Sequence, residues 1–164
     1  MTLRFGILTL SDRSSRGERA DTSGLELANL IKTQNWFVAK RAILPDEESA
    51  IKAMLIEWVD SGELDVILTT GGTGFSPRDV TPEATRAVIQ REALGLAEAM
   101  RAAGLTKTPH AMLSRAIAGI RGKTLIVNLP GSPKGAVENL QTILPVLPHA
   151  VQLLQNDPAS ESSH

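Results

Sequence analysis

Residues 65–90 constrain the fold of this chain more than any other stretch. Asp65, Val66, Ile67, Leu68 and Thr69 form a short apolar, β-branched run that reads as a buried strand. Thr81, Pro82 and Glu83 spell a helix start: Thr81 as N-cap, Pro82 at the first helical position, Glu83 in the first turn. Between the two lie Gly71, Gly72 and Gly74. A strand, a loop whose backbone can approach a ligand, and a helix N-terminus with free N–H groups together suit an anion. Arg78 adds a cation, and Asp79 adds a carboxylate able to hold a divalent metal. The loop follows neither the Gly-x-x-x-x-Gly-Lys-Ser/Thr nor the Gly-x-Gly-x-x-Gly pattern. Glycines alone would equally suit an ordinary tight turn before a well-capped helix.

The same alternation runs along the chain. Strands are predicted at 3–10, 36–44, 65–69 and 124–128, with helices at 22–33, 47–61, 81–90, 92–103 and 134–154. Gly62 and Gly104 should each follow a helix end. Pro145 and Pro148 should break the last helix, which Ser132 and Pro133 open as Thr81 and Pro82 open theirs. Asp46 sits where the N-cap of the 47–61 helix belongs. Residues 112–120 fit either a short strand or an irregular loop, after a turn at Thr108, Pro109 and His110. His110 reads as a surface or packing histidine. The polar stretch 14–21 is either a solvated loop or a flexible cover bringing Arg13, Arg16 and Arg19 to an anion. Residues 1–155 form one domain and 156–164 a polar tail, with no internal repeat or linker.

Composition narrows the class. Aliphatic residues dominate and tyrosine is absent, which favours helices packed on a buried sheet over an all-β sandwich. The 17 basic and 18 acidic residues nearly cancel, so neither nucleic acid nor a membrane surface is an expected partner. Without cysteine, disulfides, thiolate metal sites and thiol catalysis are excluded. No apolar run is long enough to span a bilayer and no signal peptide precedes the first strand, so a cytoplasmic location is expected.

Strands alternating with helices imply an α/β fold with a mainly parallel sheet. Ligands of such sheets bind beyond the carboxyl ends of the strands. Four groups follow strand ends here: Ser11 and Asp12, Asp46, residues 71–79, and residues 128–133. The residues alone therefore indicate a nucleotide- or phosphate-binding protein.

Three segments carry a more specific resemblance. They are the run from Gly71, Gly72, Thr73, Gly74 and Phe75 through Arg78, Asp79, Val80, Thr81, Pro82, Glu83 and Ala84; Met112, Leu113, Ser114 and Arg115; and Asn128, Leu129, Pro130, Gly131, Ser132 and Pro133. With Ser11–Asp12 and Pro45–Asp46, they resemble the molybdopterin adenylyltransferases of molybdenum-cofactor synthesis, including gephyrin-type G domains. The likeness spans residues 3–154. It implies a three-layer α/β/α fold, a homotrimer (paired into hexamers in some members), and transfer of AMP from ATP to molybdopterin with Mg²⁺. It implies catalytic roles for Asp46 and Asp79, and a molybdenum insertase as downstream acceptor. It places substrate contacts at Ser114, along Gly71, Gly72, Thr73 and Gly74, and along Asn128, Pro130 and Gly131; Ser11, Asp12 and Arg115 are further candidate contacts, and Asp79, with Asp12 or Asp46, is the candidate Mg²⁺ site. A molybdopterin-binding scaffold without turnover, or a nucleotide pyrophosphate hydrolase on the same fold, are the alternatives. The related insertase domain is disfavoured by the Gly71–Gly74 string.

Overall fold

The computed structural model describes residues 1–156. A six-stranded sheet runs in the order β2-β1-β3-β6-β5-β4. Its parallel part comprises β2 (Phe37–Leu44), β1 (Arg4–Leu10), β3 (Val66–Thr70) and β6 (Thr124–Leu129). The short β5 (Ala118–Arg121) and β4 (Arg91–Glu92) add an antiparallel edge.

Both faces are covered, which is why β1, β3 and β6 are near-continuous apolar runs. The pleat sends Phe5, Ile7, Val66, Leu68, Leu125 and Val127 to one core. There they meet α2 (Thr22–Thr33), α5 (Leu94–Leu105), α6 (Pro133–Ile143) and α7 (Leu147–Leu154). Leu8, Leu10, Ile67 and Ile126 alternate to the opposite core, against α3 (Glu48–Asp60) and α4 (Thr81–Val88). Register keeps like faces together: Val66 pairs with Leu125, Ile67 with Ile126 and Leu68 with Val127. Edge strand β2 alternates instead between exposed and half-buried residues. A fully buried aliphatic side chain contributes roughly 1.5–3 kcal/mol, so these two layers dominate stability.

The chain leaves β1 over one face through α2 to reach β2, then returns over the other through α3 to reach β3. Strand order therefore reverses between β1 and β3, and a crevice opens at their carboxyl ends.

Several local expectations need correction. Residues 12–15 form a one-turn helix, α1 (Asp12–Ser15), because the Ser11 hydroxyl accepts the Ser14 amide at 3.1 Å. Asp46 does not cap α3; Glu47 holds that position without a side-chain bond. Thr81 lies inside α4, where its hydroxyl donates to the Gly71 carbonyl at 2.9 Å. Gly104 sits within α5, and an added Cβ there would lie 2.9 Å from Ala111 Cβ, so the glycine admits a close neighbour. That neighbour belongs to a 3₁₀ turn, Pro109–Leu113, which extends the turn expected at Thr108, Pro109 and His110. Gly62 does follow α3 at positive φ (69°), and Ser132 caps α6 by accepting the Gly135 amide at 3.2 Å. The proline-rich end splits into α6, a 3₁₀ turn at Leu144–Val146, and α7. Residues 157–164 of the predicted tail lie outside the described residues. Among the described residues no helix is long and apolar enough to cross a membrane.

Candidate active site

Two cavities share a wall at the carboxyl edge of the sheet. The first, of about 360 Å³, fills the crevice between β1 and β3. Its floor is Thr9, Leu10 and Ser11 on one side and Thr70, Gly71 and Gly72 on the other, with Asp46, Asp79 and Gly131 around it. The first turns of α2 (Thr22, Ser23) and α6 (Ser132, Pro133) also open onto it. Two helix N-termini meeting one polar cavity favour a polyanion, because first-turn amides and helix dipoles act together.

Backbone proximity builds this floor. Gly71 has φ 104°, and a Cβ there would collide with the Leu10 carbonyl. Gly72 has φ 68°, and its Cβ would meet Thr81 and lie 3.1 Å from Asp46 Oδ1. Opposite, a Cβ on Gly131 would stand 3.3 Å from Gly71 Cα, so the loops after β3 and β6 touch main chain to main chain. They are stitched by the Gly71 amide to the Leu129 carbonyl at 3.0 Å and by the Thr70 hydroxyl to the Pro130 carbonyl at 2.8 Å.

Asp46 is the unusual group. Its Oδ2 accepts the Asp12 amide at 3.1 Å, but Oδ1 is buried and has no hydrogen-bond partner. Burial pushes its carboxyl above the usual range; the Asp12 amide opposes this, while the Asp12 and Asp79 charges reinforce it. A buried carboxylate oxygen without a donor is costly. A cation between Asp46 and Asp79 would relieve that cost, although the described residues hold no cluster of three or more His, Cys, Asp or Glu side chains with ligating geometry.

The second cavity, of about 340 Å³, lies behind the same loops. Thr73, Gly74, Pro130 and Ser114 line it together with Met100, Ala111 and Leu113, and Ser132 borders both cavities. Arg101 joins its wall and donates to the carbonyls of Ser114 and Ala116 at 3.2 and 2.8 Å, which fixes that segment.

Of the predicted contact residues, Ser11, Asp46, Gly71, Gly72, Asp79 and Gly131 line the first cavity and Thr73, Gly74, Ser114 and Pro130 the second. Three line neither. Asp12 has both oxygens on Arg78, at 2.9 and 3.0 Å, and Oδ1 also accepts the Asp46 amide at 3.0 Å. Its carboxylate is thereby held by Arg78 and the Asp46 amide rather than turned to the cavity wall. Asn128 is fully buried; it donates to the Thr69 and Thr85 hydroxyls and accepts the Ile117 amide. Arg115 is bound to Glu83 and to two loop carbonyls. Sequence reasoning missed Thr9, Thr70, Asp21, Arg101, Lys107 and Glu138, and His110 turns out to edge the second cavity. Asp21 carried one legible signal, since it precedes a helix and caps it by accepting the Gly24 amide at 3.0 Å.

Residues 6–149 match a family described as a probable molybdopterin binding domain. The chain belongs to that family. Within the molybdopterin-binding family it is 55% identical to the molybdopterin biosynthesis enzyme MoaB from Thermus thermophilus, with a TM-score of 0.90 over 96% of this chain and 99% of that one. It is 41% identical to a molybdopterin adenylyltransferase of Helicobacter pylori (strain J99), over 93% of this chain and 88% of the relative. It is also 46% identical to a gephyrin of Dictyostelium discoideum, over 94% of this chain, but spans only 23% of that protein's length. The expected α/β architecture and family membership thus hold, with the mixed sheet edge as the added detail.

Proposed function

We propose that this protein acts in molybdenum cofactor biosynthesis by transferring AMP from ATP to the terminal phosphate of molybdopterin, giving adenylyl-molybdopterin and pyrophosphate. The observation that carries this reading is the pair of cavities divided by one glycine-rich wall, with Ser132 common to both. Group transfer needs two substrates side by side, and each cavity has a volume suited to part of one. The adenylate and its phosphates belong in the first, beneath the N-termini of α2 and α6. The pterin belongs in the second, against Ser114 and its aliphatic wall.

A phosphate oxygen of molybdopterin forms a bond to the α-phosphorus of ATP, and the bond from that phosphorus to the bridging oxygen breaks with loss of pyrophosphate. The nucleophile is already an anion, so no strong base is required. General-base catalysis contributes typically about 10²–10⁴-fold, whereas fixing two reactants can lower the barrier by about 7–11 kcal/mol. Positioning therefore dominates. The chain supplies it through Gly71 and Gly72 against one ligand and Thr73, Gly74 and Pro130 against the other. Asp46 and Asp79 are the carboxylates that would hold Mg²⁺, and the unsatisfied Asp46 Oδ1 fits that role. When bound, Mg²⁺ neutralises charge on the leaving pyrophosphate. A homotrimer and delivery of the product to a molybdenum insertase are part of the same proposal.

The test is incubation of purified protein with molybdopterin, ATP and Mg²⁺, following adenylyl-molybdopterin and pyrophosphate together, with Asp79→Ala as control. Equal amounts of both products, lost in the variant, are expected. Molybdopterin binding without product would indicate a carrier, and hydrolysed nucleotide without adenylated pterin would indicate a hydrolase; either outcome overturns the assignment.

A further inference from the structure

One side chain that lines neither cavity ties the loop between them to the segment carrying Ser114. Arg115 donates from Nε to the Gly74 carbonyl at 2.7 Å and from Nη2 to the Asp79 carbonyl at 2.8 Å. Its amide donates to the Thr73 carbonyl at 2.8 Å. The outer face of the guanidinium forks onto Glu83 at the start of α4, at 2.7 and 3.1 Å. The preceding residue, Ser114, lines the second cavity, and Asp79 lines the first.

This is a poor device for stability. Arg115 is 34% exposed and Glu83 46%, and an ion pair that open to solvent contributes little. Its value is geometric. The rigid, planar fork, with the adjoining amide, fixes three carbonyls of one loop relative to α4 and to Ser114, which a single ammonium could not do. The Asp79 carboxylate inherits that geometry: its Oδ2 accepts the Ser76 amide at 3.0 Å, and a Cβ on Gly74 would lie 3.0 Å from the same oxygen. Asp79 is thus placed by the fold of its own loop, and the loop is placed by Arg115.

We infer that Arg115 is a positioning residue that couples the two cavities, so that a ligand seated against Ser114 fixes the Asp79 carboxylate and strengthens nucleotide binding next door. Residues 114–115 are tied to 73–79 by hydrogen bonds from this guanidinium and its own amide, so a displacement of one segment is passed to the other. The inference rests on the assignment of pterin to the second cavity and nucleotide to the first.

The experiment is calorimetric titration of the full chain with α,β-methylene-ATP and Mg²⁺, with and without saturating molybdopterin, in the unmodified protein and in Arg115→Met, Arg115→Lys and Glu83→Gln. Molybdopterin is expected to tighten nucleotide binding by about fivefold or more in the unmodified protein, the lower range for coupled sites. That factor should collapse toward one in Arg115→Met and Arg115→Lys, and shrink in Glu83→Gln, which leaves the guanidinium in place. A purely structural Arg115 would weaken both affinities together and leave their ratio intact, and that result overturns the inference. So does an unmodified protein that makes adenylyl-molybdopterin but binds the two ligands independently, in which case the functional reading stands. Binding of neither ligand by the unmodified protein would overturn both.

Discussion

Asp12 and Asp46 hold each other by the main chain: the Asp12 amide donates to Asp46 Oδ2 at 3.1 Å, and the Asp46 amide donates to Asp12 Oδ1 at 3.0 Å. The exchange locks the ends of β1 and β2 together and leaves Asp46 Oδ1 facing Gly72. On the proposed metal role of Asp46, Asp12→Ala should lower kcat by about 10–100-fold, the usual effect of removing a group that orients a metal ligand. Asp12→Asn, which retains an acceptor for the Asp46 amide, should lose less. Steady-state kinetics on folded protein decide this, and an unchanged kcat in Asp12→Ala would sink the positioning role.

The two carboxylates should respond to pH in opposite senses. Asp46 has a raised pKa, chiefly from burial, so its ionised form destabilises the fold, and stability from this group is lost as pH rises through the folded value. Asp12 is lowered, chiefly by Arg78 and then by the Asp46 amide, so its stabilising effect is present above its ordinary value of 3.8 and is lost as pH falls through the folded one. Asp46→Asn should consequently raise Tm at neutral and alkaline pH while abolishing turnover, and the gain should vanish toward acid. For a chain this size each 1 kcal/mol corresponds to about 2–4 °C. Thermal melts across pH provide the readout; a gain that grew on acidification would refute the assignment.

Gly71 and Gly62 share positive φ but not surroundings. At Gly71 (φ 104°) an added Cβ strikes the Leu10 carbonyl, whereas at Gly62 (φ 69°) it meets nothing within 4 Å. Gly62→Ala should cost only the left-handed backbone term, about 1–2 kcal/mol, and leave nucleotide affinity intact. Gly71→Ala should cost more, because the atom in its way belongs to the main chain, and should abolish nucleotide binding. Denaturant melts paired with nucleotide titrations separate the two effects.

Asn128 should matter for stability first. Removing its side chain strands the Thr69 and Thr85 hydroxyls and the Ile117 amide in the interior, at about 1–3 kcal/mol for each group left unsatisfied. Asn128→Ala should shift the urea midpoint strongly, while the nucleotide Kd of the fraction still folded changes little. A large Kd change with an unaltered midpoint would return Asn128 to direct ligand contact.

The fold was legible because its signals are local. The apolar run before Gly71, the proline openings at Pro82 and Pro133 and the helix stop at Gly62 each act within a few residues. The rim of strand ends was legible for the same reason, since parallel strands bring their carboxyl ends together. What stayed hidden is long-range pairing. Nothing in the string assigns Arg78 to Asp12, 66 residues away, or Arg115 to Glu83, 32 away. Asp46 and Thr81 look like caps in sequence, and only tertiary contacts turn one into an unsatisfied carboxylate and the other into a brace on Gly71. Asn128 reads as the last residue of a buried strand beside a Pro-Gly turn, which suggests a ligand contact at the rim, but the strand runs on to Leu129 and keeps its side chain inside.

The contact between Gly71 and Gly131 involves no rotamer at all. It works as a spacer whose thickness is that of two bare peptide chains, and no side-chain motion can widen or narrow it. Surrounding residues can be exchanged to alter the first cavity's walls, yet the separation of the loops after β3 and β6 stays set by main chain alone. Any engineered change of donor or acceptor should therefore begin at the outer walls and leave these two positions untouched.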